Sequence, residues 1–471
     1  MELDPLILSR LQFAFVVCFH AIFPVFTIGL ASYIALLNGL FFANGNPAWE
    51  RLAVFWTKVF AVVFGMGVVS GIVMSFQFGT NWSNFAQATA NFLGPVLSYE
   101  VVTAFFLEAG FLGVLLFGRG KVPQGVHLFA AIMVAVGTFI SSFWILAANS
   151  WMQTPAGVEL IDGAFHVTSW SEALFNPSFG YRFVHMGMAS FLTGGFVVAA
   201  VSAWFLLRGR DVAANKKALS MCLWLLLVLA PAQAVVGDFH GLNTLEHQPT
   251  KVAAMEGNWE TQSHAPLLLF AIPDKEAQEN LVEIGIPSLA SLILTHSTDG
   301  VVPGLKEAPV DEQPVVGLVF WSFRVMVALG LAMIAVAVTG LVLRRGGRVY
   351  HNERYLKVLV AMGVTPFIAV LAGWIVTEAG RSPWLVYGLM TQAEALTPSL
   401  TGGMALFTLI GYIAVYAVVF WSGIYYLLRV IRQGMLPHDQ EMVVDDIERA
   451  KRPLSATHIP FDDDAGHPVR S

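Results

Sequence analysis

Along most of this chain the apolar residues neither alternate nor recur as amphipathic stripes. They run on for twenty positions and more before a polar stretch intervenes, near 12–42, 54–78, 94–118, 126–148, 182–207, 218–238, 315–343, 356–378 and 402–430. A helix crossing a bilayer needs about 20 largely apolar residues, so the pattern predicts nine spans. Basic residues concentrate in alternate connections: Arg51 and Lys58; Arg119 and Lys121; Arg208, Arg210, Lys216 and Lys217; Arg344, Arg345, Arg348, Arg354 and Lys357; then Arg429 and Arg432. By the positive-inside rule these connections face the cytoplasm, which puts the N-terminus outside and the C-terminus inside. The expected organisation is spans one to six over 1–238, an outward-facing loop over 239–314, spans seven to nine over 315–430, and a polar cytoplasmic tail over 431–471.

Composition agrees with the pattern. The chain is 56% apolar and 12% charged, against about 25% charged in soluble domains, and the expected fold class is an all-α integral membrane protein embedded in a lipid bilayer. Glu2 and Asp4 precede the first basic residue, Arg10, and the apolar run after it is far longer than a signal-peptide core, so the first span is expected to be retained. Cys18 and Cys222 both lie in apolar runs and suggest neither a disulfide framework nor a zinc site. No nucleotide fingerprint or internal repeat is evident, and no nucleic-acid partner is expected. The loop over 239–314 carries eleven carboxylates against Lys251, Lys275 and Lys306; segments this long inside compact proteins are usually functional or disordered.

Ionisable groups inside spans are costly and mark functional sites. Here they are His20, Glu100, Glu108, His185, Arg324 and Glu378, and the predicted topology puts His20, Glu100, His185, Arg324 and Glu378 in the outer half of the membrane. His185 and Met326 each lie near the outer end of a span, and His with Met is an axial pair for low-spin haem iron. Interfacial placement of the His and ordinary packing of the Met would explain them as well. His20 sits among apolar neighbours that offer its imidazole nothing; an iron would satisfy it, and so would an interhelical hydrogen bond. Glu100 and Glu108 would lie about 12 Å apart along a regular helix and roughly 80° apart around it, as a proton relay or as structural pairing would require. Glu378 follows Trp374 by four residues and precedes Arg381 by three. An interfacial ion pair with tryptophan anchors accounts for that cluster about as well as a cofactor site does.

Two respiratory readings are excluded by the histidines. A cytochrome b of the quinol:cytochrome c type carries two spaced His ligands on each of two helices, and no span here has two. A haem-copper oxidase needs a cluster of membrane histidines, with adjacent ones among them, and this chain has no His-His pair.

Seven stretches, in order, match a different family: RLQFAFVVCFH (10–20), GPVLSYEVVTAFFLEAGFLG (94–113), WILAANSWMQTP (144–155), YRFVH (181–185), QPTKVAAMEGNWET (248–261), FWSFRVM (320–326) and GWIVTEAGRSPW (373–384). From residue 10 to about 430 the chain resembles subunit I of the cytochrome bd terminal quinol oxidases. The resemblance implies oxidation of membrane quinol at the outer face and reduction of O2 to water with cytoplasmic protons, without copper. It implies that His185 and Met326 ligate a low-spin haem b with Arg324 beside its propionates, and that His20 and Glu378 ligate two high-spin haems. Trp374 would pack near that pair, and Arg381 would be a charge partner for carboxylate or propionate. Glu100 and Glu108 would serve haem binding and proton delivery, and Lys251 and Glu256 quinol oxidation. The high-spin haems would be a haem b and a haem d, or a further haem b in its place. Ser382 stands where the family usually has Gln and the loop is of the short type, as in the cyanide-insensitive branch, so the identity of that haem stays open. Also implied are a homologous membrane subunit II, a very small third subunit, and a bacterial cytoplasmic membrane. An ion-coupled secondary transporter, or a haem-bearing electron carrier without oxygen chemistry, are the competing readings.

Overall fold

A computed structural model describes residues 3–435; the expected tail beyond 435 lies outside the described residues. Among the described residues nine helices are long and apolar enough to cross a membrane. They are α1 (Pro5–Asn44), α2 (Pro47–Thr80), α3 (Ala90–Phe117), α4 (Gln124–Gln153), α5 (Phe179–Leu207), α6 (Val212–His247), α7 (Val316–Leu343), α8 (Glu353–Ala379) and α9 (Gly402–Gln433). The protein is an α-helical membrane protein; among the described residues its strands are three short antiparallel pairs outside the spans.

The ends of the helices follow from local chemistry. Asp4 caps α1 by accepting from the backbone N–H groups of Leu6 and Ile7, with Pro5 in the first turn, where a missing N–H is harmless. Gly45, at φ +61°, turns the chain out of α1, and Asn46 caps α2 through the Ala48 N–H. At the α1–α5 crossing the backbones touch: a Cβ on Gly29 would lie 2.3 Å from the Ser190 carbonyl oxygen, and one on Gly194 would lie 3.0 Å from the Gly29 carbonyl carbon. Only residues without side chains permit that approach.

Two spans depart from regular helices. In α3 a π turn over Val101–Phe105 separates Glu100 from Glu108. The axial and angular spacing of a regular helix therefore does not apply to that pair; π turns are rare and favour functional sites. In α8 the helix breaks between Met362 and Thr365, where Pro366 begins the second piece and a Cβ on Gly363 would sit 2.6 Å from Ala200 Cβ on α5.

The sixth span runs past the expected 238 to His247. Asp238, His240, Glu246 and His247 end the apolar run but not the helix, which continues until Gln248 and Pro249. The connection that follows is folded: a helix over Pro249–Glu256, a hairpin of two strands (Leu267–Asp274 and Glu279–Ile286), and a helix over Leu289–Thr295. Basic residues gather at the opposite end of the bundle. There Arg119 pairs with Glu50 (3.0 Å), Arg51 pairs with Asp211 (3.1 Å), and Arg210 donates to the last carbonyls of α9.

Candidate functional site

His20 projects from α1 toward α2. Its Nδ1 lies 2.9 Å from Ser70 Oγ, and Ser70 donates its own hydroxyl proton to the Gly67 carbonyl at 2.9 Å. Ser70 can then only accept, so His20 Nδ1 carries the proton and Nε2 keeps its lone pair. Gly71 makes room for the ring: a Cβ there would be 3.1 Å from His20 Cε1. His185 on α5 is cradled in the same manner by Gly237 of α6, at 3.2 Å from Cε1, but its Nδ1 is buried without a partner. The Met326 sulfur on α7 lies against Gly373 of α8, where a Cβ would approach Sδ to 3.0 Å.

Glu378 ends α8 and is held from two sides. Its Oε1 accepts from Asn149 Nδ2 (2.9 Å) and Gln153 Nε2 (3.4 Å) of α4, and its Oε2 accepts from Arg381. The helix stops at Ala379, so Arg381 reaches back to Glu378 from the turn beyond and not from a continued helical face. Arg381 is 2% exposed, and its Nε and Nη1 have no partner among the described residues. Trp374, one turn earlier, packs against the buried cluster of Leu146, Ala147 and Phe179, and its Nε1 is also unpartnered among the described residues.

Lys251, from the helix over Pro249–Glu256, is buried and donates to Gln153 Oε1 and Gln248 Oε1, both at 2.6 Å. Burial, with Arg182 and Arg381 nearby, holds its ammonium well below the ordinary lysine value, against the opposite pull of Glu378. Gln153 thus bridges Lys251 to Glu378. Five residues on, Glu256 is buried and pairs with Arg324 of α7 at 3.1 Å. Burial raises its carboxyl pKa, and Arg324 partly offsets that. Arg324 also donates to the carbonyls of Met255 (2.6 Å) and Leu268 (2.7 Å), which ties the folded connection to the helix that bears Met326.

Glu100 accepts from Ser141 of α4 at 2.8 Å. Glu108 is buried against Gly137 of the same helix, with Oε1 unpartnered. Residues 137 and 141 are one turn apart, so both carboxyls lie along one face of α4.

Haem-binding chemistry suits these residues on two counts. Imidazole nitrogens and a thioether stand in glycine-lined positions with lone pairs uncommitted. Near Glu378, two buried guanidinium groups, Arg182 and Arg381, stand by one carboxylate; such an excess of buried positive charge favours an anionic group such as a propionate. Lys251, Gln153, Glu378 and Arg381 come together, and Glu256 with Arg324, while Glu100 and Glu108 line a separate face of α4.

Several residues given no role in the sequence reading join the site. Ser70, Asn149, Gln153, Arg182 and His240 act from neighbouring helices. Gln153 and Arg182 lie within the matched stretches WILAANSWMQTP and YRFVH, a signal of position that carried no role. Arg182 is 6% exposed at the first turn of α5, where the apolar run was taken to begin. Ser70 and His240 have no signal of their own.

The chain matches the family described as cytochrome bd terminal oxidase subunit I over residues 8–435. It is 34% identical over 442 residues to cytochrome bd ubiquinol oxidase subunit 1 of Bacillus subtilis, covering 92% of this chain and 94% of that one. It is 32% identical over 501 residues to cytochrome bd-II ubiquinol oxidase subunit 1 of Escherichia coli, covering 92% and 97%. The bd oxidase from Geobacillus thermodenitrificans superposes with a TM-score of 0.84 at 32% identity, over 92% of this chain and 99% of that one.

Proposed function

This chain belongs to the cytochrome bd terminal oxidase subunit I family, and from that membership we propose that it is the haem-bearing, quinol-oxidising subunit of a terminal oxidase. Its relatives are quinol oxidase subunits, and none of these findings favours a secondary transporter. The observation that carries the reading is the pair of links between the folded connection and the candidate ligand helices. Lys251 reaches Glu378 through Gln153, and Glu256 reaches Arg324, two residues before Met326.

Lys251 and Glu256 bind and orient a quinol at the end of the bundle that faces outward. A lysine whose pKa is lowered by burial and a carboxyl whose pKa is raised by it are groups suited to passing protons to and from a bound quinol. His185 and Met326 would hold a low-spin haem b. His20, through Nε2, and Glu378, through a remaining carboxylate lone pair, would hold two high-spin haems, a haem b and a haem d or a further haem b. Haem iron bound there would supply one-electron transfer and O2 binding. Arg381 and Arg182 neutralise carboxylate and propionate charge, Arg324 secures the connection over α7, and Trp374 covers the ligand cluster. Glu100 and Glu108 hold protons along α4 on a path from the cytoplasmic side. A homologous subunit II and a very small third subunit complete the assembly in the bacterial cytoplasmic membrane, with the N-terminus outside.

Lys251→Ala and Glu256→Ala should each depress oxygen uptake with quinol while artificial donors still reduce the haems. Equal loss with both kinds of donor, or an optical spectrum of folded protein without haem absorption, would contradict the reading.

A further inference from the structure

Gln233, Gly237 and His240 follow one another on α6 at spacings of four and three, so they share one face. That face meets His185. Gln233 Nε2 donates to the His185 backbone carbonyl at 3.0 Å. A Cβ on Gly237 would be 3.2 Å from His185 Cε1 and 3.7 Å from Nδ1, so the absent side chain is what lets this edge of the imidazole lie against α6. His240 completes the stripe: its ring and that of His185 are 5.4 Å apart between centroids and inclined at 62°. His185 Nδ1 and His240 Nε2 are both buried, and neither has a hydrogen-bond partner among the described residues. Two orphaned nitrogens on adjoining rings become satisfied together if one donates to the other.

An imidazole that binds metal through Nε2 carries its proton on Nδ1 and passes it to an acceptor, which fixes the ring and makes the ligand more basic. Building on the assignment of His185 as a haem ligand, we infer that His240 is its positioning residue. A small turn of the two rings would bring the Nδ1–H of His185 to His240 Nε2 as donor to acceptor, and the more basic ligand would favour ferric over ferrous iron and lower the reduction potential of the low-spin haem. Gln233 Oε1 is the rival acceptor, since it too is buried and unpartnered.

The test is a redox titration of the low-spin haem band in the purified complete oxidase, with the ferric low-spin resonance recorded alongside. In His240→Leu the haem should remain low-spin and its potential should rise. The ferrous-to-ferric ratio at a fixed potential should increase about tenfold, close to 59 mV for a one-electron couple. His240→Gln, which keeps an acceptor, should restore most of the original value. If His240→Leu retains too little haem, His240→Phe keeps a ring of similar size and reports the same quantity. An unchanged potential in the variants lacking an acceptor, or a rise in Gln233→Leu in their place, would overturn the inference. Persistence of the low-spin signal in His185→Ala would overturn the ligand assignment beneath it, and so separates that failure from this one.

Discussion

His20 and His185 occupy settings that look alike until the second ring nitrogen is followed. Each ring lies over a glycine of the next helix, with a hypothetical Cβ at 3.1 Å from Cε1 for Gly71 and at 3.2 Å for Gly237. At His20 the Nδ1 proton is committed to Ser70, and Ser70 is committed to the Gly67 carbonyl. At His185 the same nitrogen has no partner, and the nearest polar ring is His240. The difference shows that two histidines can share steric accommodation and still differ in what controls their basicity. One ring is locked by a hydroxyl and a backbone carbonyl; the other faces a second buried imidazole.

The harshest way to break the comparison removes the rings themselves. His20→Ala should abolish a high-spin haem signal and quinol-dependent oxygen uptake with the low-spin band retained, while His185→Ala should abolish the low-spin band. Loss of both signals in either variant would mean that the two sites do not assemble independently. Met326→Leu comes next, because it deletes a thioether at nearly constant volume. It should convert the low-spin spectrum to a high-spin one while the stability cost stays under about 1.5 kcal/mol.

Ser70→Ala probes what distinguishes the two sites. Losing the partner of a ligand nitrogen weakens metal retention by about 10–100-fold, so the high-spin haem should dissociate more readily on dilution into apo-globin acceptor, with the low-spin haem unaffected. The smallest effects come from Gly71→Ala and Gly237→Ala, read as shifts of the absorption bands. Each Cβ would require its ring to give by a few tenths of an ångström. The His20 ring, held at 2.9 Å by Ser70, yields less than that of His185, so Gly71→Ala should perturb its haem more than Gly237→Ala perturbs the other.

Much of the fold was legible because a membrane span is written in one dimension. Its length and apolarity follow from bilayer thickness, and nine such runs are present among the described residues. Where polar residues continue a helix, hydropathy does not show it: α6 runs to His247 although its apolar run stops at 238, so His240 stands on the same helix as Gln233 and Gly237. The π turn in α3 and the break in α8 were also hidden, since neither interrupts hydropathy. Glu378 and Arg381 were legible as neighbours in sequence. Gln153, which carries the link from Lys251, was not, because its partners are ninety-eight and 225 residues away.

By itself, then, the sequence determined how many times the chain crosses the bilayer, where its basic connections gather, and which family its ordered motifs match. Those are properties of contiguous residues, and the solvent reads them segment by segment. Tertiary structure decided which nitrogen of His20 is available, which cations surround Glu378, how the folded connection grips α7 and α8, and what faces the second nitrogen of His185. Each of these depends on a residue presented by another helix at hydrogen-bond distance, and a few ångströms of packing, not any local pattern, set that distance.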